Sequence, residues 1–140
     1  MTDSHDLRRF VVAQDPVIEQ VRRELRAGSK LSHWMWFVFP QLRGLGSSGM
    51  AQRYAIASLD EARAYLEHPV LGERLLDCTR IVNRVEDRSL GAIFGSPDDV
   101  KFRSSMTLFA AVRGATVFDE ALAKFCGGVP DRRTLELLQS

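Results

Sequence analysis

Along most of this chain apolar residues return every three or four positions, the period of an α-helix with one dry face. Leu7, Phe10, Val11 and Gln14 mark a short amphipathic helix that starts near Ser4 or Asp6. Asp15-Pro16 restarts the chain, with Asp15 suited to a cap and Pro16 to a first helical turn. Val17, Val21 and Leu25 then form a dry stripe, while Glu19, Arg22, Arg23, Glu24 and Arg26 fall on the wet side. Gly28 stands where such a helix ends.

The pattern changes after Lys30. Between Leu31 and Ala57 the only charged residues are Arg43 and Arg53. Ser32 is a candidate cap for a helix carrying His33, Trp34, Met35, Trp36, Phe37, Val38 and Phe39. A run that is apolar on nearly every side also fits a buried strand, though helix is favoured, and Pro40 ends or kinks either element. Gln41 to Gly46 reads as a turn, and Ser47 or Ser48 caps a helix through Met50, Ala51, Tyr54 and Ala55.

Ser58 and Glu61 have capping-box spacing ahead of Ala62, Tyr65 and Leu66. Pro69 opens what reads as the longest helix, presenting Val70 or Leu71, Leu75, Cys78 or Thr79, and Val82. Leu90 to Gly95 reads as an apolar link, and Ser96-Pro97-Asp98-Asp99 as a cap and first turn before Val100, Arg103 (by its stem), Ser104, Thr107, Leu108 and Ala111. Val117, Phe118, Ala121, Leu122 and Phe125 continue the helical spacing until Gly127-Gly128, and a last short helix starts at Asp131. These segments predict one all-α domain over residues 1–140, a compact irregular orthogonal bundle of about seven short helices.

Composition narrows the function classes. A chain of 140 residues has a folded surface of roughly 7,000 Å² against roughly 23,000 Å² unfolded, enough to build a core without disulfide or metal. The 19 basic and 18 acidic residues are interleaved, so no face for duplex nucleic acid is expected. The polar opening segment and the lack of a long apolar run predict a cytoplasmic protein without a membrane span. Cys78 and Cys126 are then expected as free thiols. The histidines at 5, 33 and 68 lie in unrelated segments, so no metal site and no cofactor are expected.

Two stretches carry candidate chemistry. In the first, Trp34 and Trp36 serve either as core or as a flat wall for a ring, and a regular helix does not put both on one face. His33, at its polar edge, is a hydrogen-bonding residue or a candidate base. Gln41 offers paired donor and acceptor to an amide or base edge, or else ties the turn, with Arg43 beside it as a further ligand candidate. In the second, Lys101, Ser104 and Ser105 share a helix side and suit a phosphate or carboxylate, against the plainer reading of a solvated lysine and packed hydroxyls. Asp98 and Asp99 favour the start of their helix, and Asp98 is the candidate catalytic carboxylate. A nucleophilic pair of His33 with Cys78 is weaker than a buried structural thiol.

The strings His33-Trp34-Met35-Trp36-Phe37-Val38-Phe39-Pro40-Gln41-Leu42-Arg43-Gly44-Leu45-Gly46 and Ser104-Ser105-Met106-Thr107-Leu108-Phe109, with His68-Pro69, Ile93-Phe94-Gly95, Asp98 and Lys101, resemble the domain of unknown function 1810 family. The resemblance covers nearly the whole chain and implies a helical fold. Some members carry a calpastatin-like label, but no residue here supplies a protease-inhibiting mechanism. In broad pattern the chain is also similar to a helical family proposed to act on ADP-ribose compounds, with no transfer of individual residues. Two readings follow. One is a domain binding a phosphate-bearing small molecule, as a hydrolase of a nucleotide or ADP-ribose-like compound if it is an enzyme. The other is an interaction module that holds a protein partner through an exposed aromatic patch.

Overall fold

The computed structural model describes residues 5–113 and 117–139. In chain order its helices are α1 (Arg8–Gln14), α2 (Ile18–Arg26), α3 (Met35–Val38), α4 (Gly49–Arg53), α5 (Leu59–Glu67), α6 (Leu71–Asn83), α7 (Leu90–Phe94), α8 (Asp98–Arg113), α9 (Val117–Cys126) and α10 (Arg132–Gln139). Ladder pairing among the described residues is limited to one parallel bridge between Leu42 and Ile56. The all-α class therefore holds, but the described residues contain ten helices rather than the expected bundle of about seven. The difference lies in short pieces: α3, α4 and α7 have four, five and five residues. The Leu90–Phe94 piece, expected as a link, is helical because Ser89 Oγ accepts from the Ala92 amide at 3.1 Å. α8, with 16 residues, and not α6, with 13, is the longest helix.

Local signals account for several boundaries. Ser48 accepts from the Ala51 amide and Ser58 from the Glu61 amide, each at 3.1 Å. Asp131 accepts from the Thr134 amide at 2.9 Å and starts α10. Gly28 follows α2 with φ +69°, a conformation that favours glycine. Two expected caps fail. Asp15 ends α1 in helical conformation and pairs with Arg74 at 2.8 Å, leaving Val17 at the start of α2. Ser32 gives its hydroxyl to Glu24 at 2.6 Å, and Trp34 stands before α3. Ser4 lies outside the described residues.

α8 forms the middle of the core. From Phe102 to Ala110 every residue except Arg103 is buried, because α5, α7, α9 and α10 pack around the helix. One aromatic group joins the string before Pro40 to this axis. Phe39 meets Phe102 edge-on at 5.1 Å and Phe94 at 5.9 Å, while Phe94 stacks on Phe102 at 4.9 Å. Such pairs add about 1 kcal/mol each beyond the area they bury. Gln14 is buried and donates to the Phe37 carbonyl at 2.6 Å and to Tyr65 Oη at 3.0 Å, tying α1 to α3 and α5. The result for function is that the Trp34–Phe39 segment is held against the N-terminal half of α8.

Candidate functional site

A loop after α2 supplies the first part of the site. Glu24 is buried although it lies on the expected wet side of α2, and its carboxylate is the centre of that loop. It accepts from the Leu31 amide at 2.8 Å, the Ser32 amide at 3.1 Å, Ser32 Oγ at 2.6 Å, Trp34 Nε1 at 2.9 Å and Gln20 Nε2 at 2.9 Å. Burial opposes its ionisation, but the hydrogen bonds from Ser32, Leu31, Trp34 and Gln20 outweigh it and bring the carboxyl down to about 2. The Lys30 amide also donates to the Ile93 carbonyl at 2.7 Å. Together these bonds fix the backbone from Lys30 to Trp34.

Lys30 is thereby aimed at the start of α8. Its Nζ lies 2.9 Å from Asp98 Oδ2, and Lys101 Nζ lies 3.6 Å from Asp98 Oδ1. Each ammonium also faces an indole: Lys30 Nζ is 5.2 Å from the Trp34 ring centre and Lys101 Nζ is 5.5 Å from that of Trp36. The Lys30 side chain is only 8% exposed, against 25% for Lys101. The site is a two-lysine clamp bridged by one carboxylate, with the half-buried ring of Trp36 beside the more accessible lysine. Lys101, the more exposed of the two ammonium groups, offers a charge to an anionic group, and the indole offers a flat apolar surface.

The expected residues divide into groups. Trp36, Asp98 and Lys101 come together. Trp34 adjoins them but is 1% exposed with its N–H given to Glu24, so its place is structural. His33 is exposed on the same loop and makes no hydrogen bond or ion pair within the described residues. Ser104 is buried and donates to the Val100 carbonyl at 3.1 Å, and Ser105 is fully buried with no partner for its hydroxyl. Both serines follow Lys101 at the predicted spacing, but unlike Lys101 they are buried in the core. Gln41 and Arg43 line a separate hollow of about 280 Å³ beside α4. Cys78 is wholly buried, and burial pushes its thiol up to about 12, which removes it as a nucleophile for His33. Lys30 and Glu24 went unforeseen. Lys30 is a single basic residue in a loop, and Glu24 satisfies the polar spacing of α2, so neither carries a signal in the pattern of the chain.

Against known families, residues 4–138 match the family described as a protein of unknown function, DUF1810. The chain belongs to the DUF1810 family. A crystal structure titled as that of the conserved hypothetical protein Rv1873 from Mycobacterium tuberculosis is similar throughout, with 60% sequence identity, 99% of each chain covered and a TM-score of 0.97. No curated protein matches the chain. This chain therefore shares its all-α arrangement with that structure. Among its described residues no helix is long and apolar enough to cross a membrane, and no three His, Cys, Asp or Glu side chains converge to hold a metal ion.

Proposed function

We propose that this DUF1810 chain binds a phosphate-bearing small molecule with a flat ring, of the nucleotide or ADP-ribose type, at the Lys30–Asp98–Lys101 clamp. The observation that carries the reading is the joint placement of two ammonium groups around Asp98, with the half-buried ring of Trp36 beside Lys101. Phosphate oxygens would take Lys101 and, with a small movement of Asp98, Lys30, while the ring lies on Trp36. If the bound compound is hydrolysed, Asp98 and the exposed His33 are the candidates to manage water and protons. The interaction-module reading loses Trp34, whose ring is buried, and keeps only Trp36 as an aromatic anchor.

Thermal melting with ADP-ribose, AMP, ADP and pyrophosphate tests this. A ligand at a hundred times its Kd adds about 2.7 kcal/mol, a rise of roughly 5–10 °C in Tm for a chain of this length. Trp36→Ala and Lys101→Ala, both at partly exposed positions, should abolish most of the rise without lowering the ligand-free Tm greatly. No rise with any member of this panel would defeat the proposal. An equal rise in both variants would move binding elsewhere.

A further inference from the structure

The hollow beside α4 is partly enclosed and lies apart from the lysine clamp. Leu42, Ala51 and Ala55 give it an apolar lining, and Gln41, Arg43 and Gln52 add polar groups. Its frame is pinned by the bridge between the two strand-like segments: the Arg43 amide donates to the Ile56 carbonyl at 2.8 Å and the Ile56 amide to the Gln41 carbonyl at 2.9 Å. Gly44 holds φ +103°, and a Cβ on Gly46 would stand 2.6 Å from that of Ala51, so the turn lies closer to α4 than a larger residue permits.

Two of the three polar side chains are not used by the fold. The Arg43 guanidinium and the Gln41 carboxamide make no hydrogen bond or ion pair within the described residues. Gln52 donates Nε2 to the Ser47 carbonyl at 3.0 Å and keeps Oε1 unbound. A guanidinium fork matches a carboxylate through two parallel bonds, and a carboxamide reads both donor and acceptor of an amide. The apolar lining suits a flat group, and a volume of about 280 Å³ stands at the small end of ligand pockets. A free inorganic phosphate would use the arginine and leave that lining bare. We infer that this hollow is a second binding site, for a small carboxylate carrying an aromatic ring or amide. The ligand class and the residues differ from those of the Lys30–Lys101 clamp, so either proposal stands without the other.

Titration of the isotopically labelled chain with hippurate, N-benzoylglycine, followed by amide NMR, is the test. Saturable shifts are expected at Gly44 and Gly46 and at the Arg43 Nε, with a Kd of roughly 1 mM or tighter. Arg43→Ala should weaken binding tenfold or more. Arg43→Lys should recover part of the loss, since a point charge replaces the fork. The uncharged N-benzoylglycinamide should bind at least tenfold more weakly than hippurate. Lys101→Ala should leave the affinity unchanged. Arg43 is exposed, so its variants should melt as the parent does. Absence of saturable shifts up to about 10 mM hippurate overturns the inference. So does equal binding by Arg43→Ala, or a loss of binding in Lys101→Ala.

Discussion

Glu24 shows how one side chain links stability to the shape of the site. Its carboxylate receives hydrogen bonds from the loop that carries Lys30 and from Trp34, and it ionises at about 2 where the ordinary value is 4.5. Because the folded value is the lower one, the unfolded chain takes up the proton first as pH falls. The stabilisation is complete above pH 4.5 and disappears as pH drops towards 2. The difference corresponds to roughly 3 kcal/mol at neutral pH. Glu24→Gln should cost about that much in urea unfolding at neutral pH, and its deficit relative to the parent should shrink steadily below pH 4.5. A deficit constant across that window would show that the charge of Glu24 does not hold the loop. The residue was hidden in the sequence because the pattern on α2 records which side a position faces. It does not record that a later loop folds over that side and brings four donors.

At the scale of helices, what could be read in the chain was the short-range part. Ser48, Ser58 and Asp131 cap where their spacing predicts, since the partner amide is three residues away and no other element is needed. Asp15 and Ser32 fail because Arg74 and Glu24, distant in sequence, take their side chains. The same contrast applies to Gly72 in α6. On an exposed helix, replacing glycine by alanine stabilises by about 1 kcal/mol. Here a Cβ would overlap the Leu66 carbonyl oxygen of α5, a backbone atom that cannot rotate away. Gly72 thus sets how closely α5 and α6 approach, and Gly72→Ala should destabilise the chain by about 2 kcal/mol net of the propensity gain. Chemical denaturation of the single variant measures the sign. A stabilised variant would mean that the two helices separate at no cost. Nothing in the local sequence distinguishes Gly72 from a tolerated helical glycine, because its constraint comes from the end of the preceding helix.

Across the whole molecule, the candidate site is a joint between the loop after α2 and the start of α8, and half of it was legible. Trp36, Asp98 and Lys101 stand out by residue type, and their meeting follows from the aromatic contact of Phe39 with Phe102. Lys30 was not legible, since a loop lysine acquires a role only when Ile93 and Asp98 are brought beside it. The joint makes a prediction about what Asp98 does before any ligand arrives. The Lys30 side chain is 8% exposed, and the Asp98 carboxylate is its partner at 2.9 Å. Asp98→Asn would leave that ammonium buried without an anion, at a cost of about 2–3 kcal/mol, somewhat below that of breaking a fully buried pair. With the carboxylate charge gone, the two ammonium groups are left to attract an external anion. Inorganic phosphate should therefore raise the Tm of Asp98→Asn more than that of the parent, beyond the general stabilisation that excluded salts give any protein. Sulfate and chloride at matched ionic strength separate the two effects: the specific part should follow anion charge and shape, and should vanish in Asp98→Asn with Lys30→Ala. Equal responses of parent and Asp98→Asn to phosphate would show that Asp98 is not holding the place of an anionic ligand, and the clamp would then be a structural ion pair only.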